Sequence, residues 1–169
     1  AKKKIKIIQG EVNNKKITLK ADIKNDNLFR YGIGFDVHRL VHGKKLYLGG
    51  IKIPSLIGTL GHSDGDPVLH AIIDALLGAC GNGDIGQKFS DKNKKFKNIR
   101  STILLDKVVN EINSKGFIIN NIDINIITQK PKIQKYKNKI TICVSKLCKI
   151  SNSQINIKGK TTEKLGVIG

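Results

Sequence analysis

Apolar residues recur along the chain with two spacings, one typical of strands and one typical of helices. Residues 31–40 alternate in the manner of a strand. Residues 44–54 carry a glycine pair between two short β-rich runs, which predicts a hairpin. Residues 66–79 carry apolar side chains at helical spacing, with Asp66 as the predicted cap and Pro67 at the first helical position.

The second half of the chain continues this alternation of helices and strands. A helix is predicted to begin at Ser101 and end near Gly116, and residues 117–128 alternate as a strand. A third helix is predicted to begin at Pro131, and residues 154–166 begin as a strand and end in a polar turn. This order predicts an α/β fold in which a small mixed β-sheet is covered on one face by helices. Because the strands are rich in Ile, we expect a partner subunit to cover the other face.

Two segments stand outside these elements. Residues 1–30 contain nine basic and three acidic residues and lack the apolar stretch of a secretory signal. We predict that they form a basic N-terminal extension and that residues 31–169 form the domain. Residues 80–98 read as a loop rich in Gly and Lys. Since the first residue is Ala rather than Met, we also expect the chain to derive from a longer precursor.

The net charge of +18 raises the question of nucleic-acid binding. Only three of the 31 basic residues are Arg, and the Lys are spread along the whole chain. We therefore do not expect nucleic acid as a partner, although such a surface would attract phosphorylated small molecules. No stretch approaches the apolar length of a membrane span, so no membrane partner is expected. The number of cysteines, three, is odd, and no CxxC pair occurs, so we expect no disulfide framework. This favours a reducing compartment.

The sequence GFDVHRL places Asp36 and His38 two residues apart within the predicted strand. Side chains at this spacing point to the same side of a strand, so both could share one ion. His70, on the predicted helix, is the strongest candidate for a third ligand. Two imidazoles and one carboxylate suit a zinc-like ion and leave a tetrahedral position open. A simple hydrogen-bonded Asp–His pair is the alternative that the motif alone leaves open.

Polar residues cluster in two further places. The segment HSDGDPVLHAIID brings four more candidates close to His70 in sequence, although Asp64 and Asp66 also fit turn and cap positions: His62, Asp64, Asp66 and Asp74. The segment KTTEKLG offers two hydroxyls and Glu163, and a carboxylate beside a diphosphate is a usual means of holding Mg²⁺. The segment TQKPKIQ follows a strand, and its exposed backbone could read a base.

Five motifs occur together in this order: GIGFDVHRL, LGGIKIP, GHSDGDPVLHAIIDALLGA, GDIGQKFSD and TTEKLG. From Tyr31 to Gly166 the chain therefore resembles the 2-C-methyl-D-erythritol 2,4-cyclodiphosphate synthases of the non-mevalonate isoprenoid pathway. The resemblance implies a lyase that converts 4-diphosphocytidyl-2-C-methyl-D-erythritol 2-phosphate to the cyclic 2,4-diphosphate and CMP. It also implies a homotrimer whose active sites lie between neighbouring subunits.

The resemblance implies roles for individual residues. Asp36, His38 and His70 match zinc ligands, and Glu163 matches a ligand of a second ion, Mg²⁺ or Mn²⁺. His62 and Thr161 match positions that stabilise the transition state. The implied substrate contacts are Asp36, Val37, His38, His62, Ser63, Asp84, Ile85, Gly86, Phe89, Ser90, Asp91, Lys92, Asn93, Thr128, Gln129, Lys130, Pro131, Lys132, Ile133, Gln134, Lys160, Thr161, Thr162 and Glu163.

The chain departs from the family pattern in a few places. Ser90 stands where Pro is usual, Val167 replaces a usual Phe, and the chain stops at Gly169, before the closing glycine-rich strand and helix of the family. Two other functions stay open: the chain could be a basic nucleic-acid-binding protein or a zinc phosphohydrolase that uses water. The basic N-terminal segment and the Lys, Asn and Ile bias suggest a plastid-type organelle, with a bacterial cytoplasm as the alternative.

Overall fold

The computed structural model describes residues 18, 29–90, 92, 93, 96, 98–163, 165 and 166. The predicted N-terminal extension lies almost wholly outside these residues, as do Asp91 and Val167, so those predictions stay untested. Four α-helices are present in the described part: α1 (Pro67–Cys80), α2 (Ile85–Lys88), α3 (Ser101–Ser114) and α4 (Lys137–Cys148). Two 3₁₀ turns lie at Ile133–Lys135 and Asn152–Gln154. None of the described helices combines the length and apolar character needed to cross a bilayer.

Helix α1 begins and ends where the sequence predicts. The Asp66 carboxylate accepts hydrogen bonds from the backbone N–H groups of Val68 and Leu69, and Pro67 occupies the first turn. Gly81 ends the helix in the left-handed conformation, with a φ of 67°. The local capping signals therefore determine both ends of this helix.

Of the other two predicted helices, one begins at the predicted residue and one does not. Helix α3 begins at Ser101 as predicted. The helix expected from Pro131 begins only at Lys137, after the 3₁₀ turn, and the short helix α2 lies inside the segment expected to be a loop. The late start of α4 has a tertiary cause, since Ile133 is buried beneath the backbone of Gly159 instead of continuing a helix.

The described strands form three separate pairs and no single mixed sheet. Four are short, β1 (Leu40–His42), β2 (Leu46–Leu48), β3 (Ile51–Ile53) and β4 (Ile57–Thr59), and two are longer, β5 (Ile122–Ile127) and β6 (Ile155–Lys160). Strand β1 pairs with β4 and β2 with β3, both antiparallel, whereas β5 and β6 run parallel. The mixed α/β character is confirmed, but the expected continuous sheet is not found in the described residues.

The predicted strand at 31–40 is assigned as a strand only from Leu40 onwards, because the described chain offers residues 31–39 no partner strand. The segment still alternates, with Gly34, Asp36 and His38 half-buried and the residues between them exposed. Its backbone lies directly on α1. A Cβ atom on Gly32 or Gly34 would fall 1.8 Å from the carbonyl oxygen of Ala75 or Ala71. Only glycine permits this close approach.

The core lies between the helices and one face of the β5–β6 pair. Helix α1 packs on α3, which packs on α4, and α4 in turn contacts β6. The buried strand side chains are Ile124, Ile126, Ile155 and Ile157. The opposite face carries Asp123, whose carboxylate accepts hydrogen bonds from Lys158 and Asn156 at 2.5 and 2.8 Å. Helices thus cover one face of this strand pair, as the sequence predicted for the sheet.

Candidate functional site

Three side chains predicted as metal ligands meet where residues 31–39 cross the start of α1. The Oδ2 atom of Asp36 lies 2.9 Å from Nε2 of His38 and 2.9 Å from Nδ1 of His70. The two imidazole nitrogens are 3.4 Å apart. One potential ligand atom from each residue lies within 4.8 Å of the other two, and all three residues are half-buried. This group of one carboxylate and two imidazoles could hold a divalent metal ion.

Hydrogen bonds behind the histidine rings orient them. The Nδ1 atom of His38 lies 2.8 Å from the carbonyl oxygen of Leu60. Because a carbonyl only accepts, Nδ1 of His38 carries a proton, and its Nε2 faces Asp36. His70 uses the opposite arrangement: Nδ1 faces Asp36, and Nε2 contacts the hydroxyls of Ser63 and Ser101 at 3.1 and 2.8 Å.

The charges of the group favour an ionised carboxylate. Burial raises the pKa of Asp36, but hydrogen bonds from His38 and His70 and their positive charges outweigh it and hold the pKa well below its usual range. The hydrogen bond to Asp36 raises the pKa of His38 above 6.5, against an opposing effect of burial. The acid is therefore in the charged form that a metal ligand requires.

The loop before α1 carries His62 and Ser63. His62 is exposed, and its carbonyl oxygen accepts the Asn98 N–H at 3.0 Å. Ser63 accepts the Gly65 N–H at 3.2 Å and faces Nε2 of His70. Ser63 therefore lies behind a candidate ligand, whereas His62 faces solvent.

The predicted substrate contacts of residues 84–93 surround helix α2. Asp84 caps this helix by accepting the Gln87 N–H at 2.8 Å. The Ile85 N–H is bound at 2.8 Å by the Asp74 carboxylate, which ties this loop to α1. Phe89 is 8% exposed and packs edge-on against Phe96, so only its backbone is available to a substrate. The other described candidates in this region are exposed or half-buried: Gly86, Ser90, Lys92 and Asn93.

The two remaining candidate segments leave the same end of the β5–β6 pair. The Thr128 N–H donates to the Lys160 carbonyl at 3.0 Å, and the Gln129 amide lies 3.4 Å from the Thr162 hydroxyl. The Thr161 hydroxyl donates to the Glu163 carboxylate, and Glu163 adopts a left-handed φ of 53°. The structure therefore places the start of residues 128–134 next to residues 160–163. Ile133 is buried, and the other members of the first segment are exposed or half-buried: Gln129, Lys130, Pro131, Lys132 and Gln134.

The candidate metal ligands are not hydrogen-bonded to the turn at residues 160–163. Among the described residues, no hydrogen bond or ion pair links Asp36, His38 or His70 to residues 160–163. Both regions nevertheless line one groove of about 1940 Å³, which runs between residues 29–40 and residues 117–131 and also includes Thr162. A molecule with two separated anionic or polar ends could contact both regions.

Sequence reasoning missed the polar residues that support the site. Ser101 was assigned only to the start of a helix, yet its hydroxyl is fully buried and contacts both His70 and Asp64. Arg100 and Asp74 had no assigned role, although each binds a loop that carries candidate site residues. The crowding of acids around His70 was the available signal, but the sequence did not indicate their partners.

The fold and these geometries define a small α/β domain with a candidate divalent-metal group beside an open groove. The family model described as the YgbB family matches residues 29–169, and the chain belongs to this family. A bifunctional enzyme IspD/IspF of Pelagibacter ubique is 73% identical over all 169 residues, which cover 46% of that protein. The chain thus spans about half the length of such bifunctional relatives.

Shorter relatives match over most of their length. The 2-C-methyl-D-erythritol 2,4-cyclodiphosphate synthase of Caldicellulosiruptor bescii is 49% identical over 142 residues, which are 84% of this chain and 90% of that protein. A solved structure of such a synthase in a CDP-bound form has a TM-score of 0.77 and 36% identity, covering 80% of this chain and 91% of that one. The resemblance stated from the sequence is confirmed. These curated relatives are bacterial, which agrees with the bacterial alternative and gives no support to a plastid-type organelle.

Proposed function

We propose that the chain converts 4-diphosphocytidyl-2-C-methyl-D-erythritol 2-phosphate to 2-C-methyl-D-erythritol 2,4-cyclodiphosphate and CMP. The observation that carries this proposal is the Asp36–His38–His70 group in a member of the YgbB family, with Asp36 and His38 lining one groove together with residues 128–131. In the reaction, an oxygen of the 2-phosphate forms a bond to the β-phosphorus. The bond from that phosphorus to the oxygen bridging it to the α-phosphorus breaks, and CMP leaves with that oxygen. No water is consumed, so the enzyme is a lyase.

We infer that Asp36, His38 and His70 hold Zn²⁺, and that Glu163 helps to hold Mg²⁺ or Mn²⁺. The donor set supports zinc, because two nitrogens and one oxygen lie within 4.8 Å of one another. Glu163 is exposed beside two threonines, which suits an ion that keeps several waters. When bound, such cations neutralise the negative charge of the phosphates.

The chain's own residues would position the substrate. The attacking group is already part of the same molecule, so orientation and not a strong base is the main requirement. We propose that residues 128–134 and 160–163 hold the cytidine and diphosphate, and that Asp84, Ile85, Gly86 and residues 89–93 contact the substrate. His62 and Ser63 would lie over the methylerythritol phosphate, and His62 and Thr161 would stabilise the developing charge.

We further propose that the chain forms a homotrimer with active sites between subunits. An exposed apolar row supports self-association, with Tyr31 and Ile33 at 89% and 93% exposure and Phe35 and Val37 at 64% and 65%. The boundary proposed at residue 31 lies next to residue 29, where the family match begins. The bacterial relatives support a bacterial cytoplasm as the compartment.

The test is to incubate the protein with the substrate, Zn²⁺ and Mg²⁺ and to follow products by ³¹P NMR. We expect stoichiometric CMP and cyclic diphosphate, whereas linear phosphate products would indicate a zinc phosphohydrolase instead. The Asp36→Asn and His70→Ala variants should lose zinc and nearly all turnover. His42→Ala is the matched control, because His42 is exposed in strand β1 and lies outside the metal group. Absence of CMP from folded, metal-loaded protein would overturn the proposal.

The remaining assignments need separate measurements. Glu163→Gln should leave zinc bound and shift the Mg²⁺ dependence of turnover to higher concentrations. Sedimentation of the zinc-loaded protein should give three times the chain mass, and a monomer at all concentrations would contradict the trimer. Tight, steeply salt-dependent RNA or DNA binding would support the nucleic-acid alternative.

A further inference from the structure

Behind His70, on the side away from Asp36, lies a polar cluster that has no role in the proposed reaction. The Ser101 hydroxyl is 2.8 Å from Nε2 of His70 and 2.5 Å from Oδ1 of Asp64. Ser101 is fully buried and the Asp64 side chain is 6% exposed. The contact therefore joins the start of α3 to the loop before α1 in a place that water reaches little.

The direction of these hydrogen bonds follows from the chemistry of the groups. An ionised carboxylate only accepts, so the Ser101 hydroxyl must donate its single proton to Asp64. The oxygen of Ser101 then offers only lone pairs to His70. The bond at 2.8 Å forms only if Nε2 of His70 carries a proton. Nδ1 then faces Asp36, where it donates if it is protonated and can bind a metal ion if it is not.

Asp64 is itself held in place from several sides. Its Oδ2 atom accepts from Nε of Arg100 at 2.7 Å, and its Oδ1 atom also accepts the Ser101 N–H at 3.1 Å. The guanidinium of Arg100 also donates to the Gly50 carbonyl at 3.1 Å and lies 4.3 Å from the centre of the Tyr47 ring. The carboxylate orientation is thus fixed by strands β2 and β3 as well as by α3.

Ser63 is a second hydroxyl near the same nitrogen, at 3.1 Å. The Ser63 hydroxyl oxygen accepts the Gly65 N–H, and its own proton can point towards Nε2 of His70 or away from it. Ser63 alone would therefore permit either form of His70. The Asp64–Ser101 pair removes that freedom, because a His70 ring without a proton on Nε2 would place two lone pairs against each other.

We propose that Asp64 and Ser101 are positioning residues that fix the proton of His70 on Nε2 and so present Nδ1 to the metal. The inference rests on the proposed function only in that His70 is a metal ligand, and it does not depend on the reaction. Partners behind metal-bound histidines commonly act in this way, and their loss costs about 10–100-fold in metal affinity. Arg100 supports the pair by holding the carboxylate.

The test compares Ser101→Ala and Asp64→Asn with the parent in two measurements that need no substrate. The first is the ¹⁵N NMR spectrum of the His70 ring in metal-free protein. The second is the zinc dissociation constant from competition with a chromophoric chelator. In the parent we expect a proton on Nε2 in every molecule, with Nδ1 facing Asp36. In both variants we expect Nε2 to lack this proton in part or all of the population, and zinc binding to be weaker by about 10–100-fold.

Asp64→Asn is the more informative variant because it retains the size of the side chain. Its amide can donate to Ser101, which frees the hydroxyl proton to turn towards His70 and favours the opposite ring form. Ser145→Ala is the matched control, since Ser145 is a buried helix serine whose hydroxyl contacts the Ile142 carbonyl and the Asn152 side chain and not His70. It should change zinc affinity by less than about twofold.

The outcomes separate this inference from the proposed function. Unchanged ring form and zinc affinity in folded Asp64→Asn would overturn it, even if turnover fell. If Asp64→Asn loses the Nε2 proton of His70 and binds zinc more weakly while Ser145→Ala changes neither, the inference is supported, even in a protein that released no CMP. If Ser101→Ala does not fold, Asp64→Asn decides the question alone.

Discussion

The carboxylate of Asp66 accepts the backbone N–H of Gly50 at 2.6 Å, and this contact ties the β2–β3 hairpin to the first turn of α1. The same carboxylate accepts Gly49 at 2.9 Å and also caps the helix. Asp66 is fully buried. The position of His70, one turn further along α1, therefore depends on a residue that cannot touch a ligand.

Replacing Asp66 by Ala should cost at least about 2 kcal/mol of unfolding free energy. The change leaves the buried amide of Gly49 and the half-buried amide of Gly50 without an acceptor, at about 1–3 kcal/mol per unpaired buried group, and removes a helix cap. Urea denaturation measures the loss. Asp106→Asn, on the exposed face of α3, should change stability by no more than about 0.5 kcal/mol. Equal stability of the two variants would contradict the prediction.

Metal-free protein should show a pH dependence of stability that arises from Asp36 and His38. The pKa of His38 is raised, so its contribution is complete below its unfolded value of 6.5 and is lost as pH rises through the higher folded value. The pKa of Asp36 is lowered, so its contribution is present above its unfolded value of 3.8 and is lost as pH falls through the lower folded value. Urea midpoints measured across pH should decline on both sides of this window. Asp36→Asn should flatten both sides, and an unchanged profile would refute the pairing.

Gly34→Ala should abolish zinc binding. The new methyl group would lie 1.8 Å from the Ala71 carbonyl, so the segment carrying Asp36 and His38 must lift from α1. Gly78→Ala is the control, since a Cβ at this position of α1 meets no atom within 4 Å. It should stabilise the helix by about 0.5–1 kcal/mol and leave zinc bound. Metal content after dialysis, together with thermal melting, distinguishes the two.

Asp74→Ala should raise the KM for the diphosphocytidyl substrate several-fold more than it lowers kcat. The change frees the Ile85 N–H and loosens residues 84–86, which are proposed to bind substrate, while the metal group stays intact. Asp74→Asn retains an acceptor oxygen and should recover most of the affinity. Steady-state kinetics provides the measurement, and an equal effect of both variants would argue against the role of this hydrogen bond.

The features that sequence reasoning predicted well depend on neighbouring residues. Helix α1 was predicted because Asp66, Pro67 and its apolar spacing lie within one short segment. The grouping of Asp36 and His38 followed from their spacing of two. The pairing of β1 with β4, in which Val41 opposes Gly58, was not predicted, because strands of three residues carry too few positions to show a pattern.

Contacts between distant residues account for what was missed. Nothing near Ser101 in the sequence indicates that its hydroxyl lies against His70. The start of α4 at Lys137 reflects the packing of Ile133 under Gly159, which no local signal reveals. The separate strand pairs likewise reflect tertiary arrangement and not alternation alone.

The hydrogen bond from the Thr128 amide to the Lys160 carbonyl extends the parallel β5–β6 pairing up to the two loops proposed to bind substrate. These loops lie far apart in the chain but leave the same end of the strand pair. A nucleotide that contacts both loops would hold the ends of β5 and β6 together. Its binding would slow the exchange of amide hydrogens with solvent along β5 and β6, far beyond the atoms that it touches.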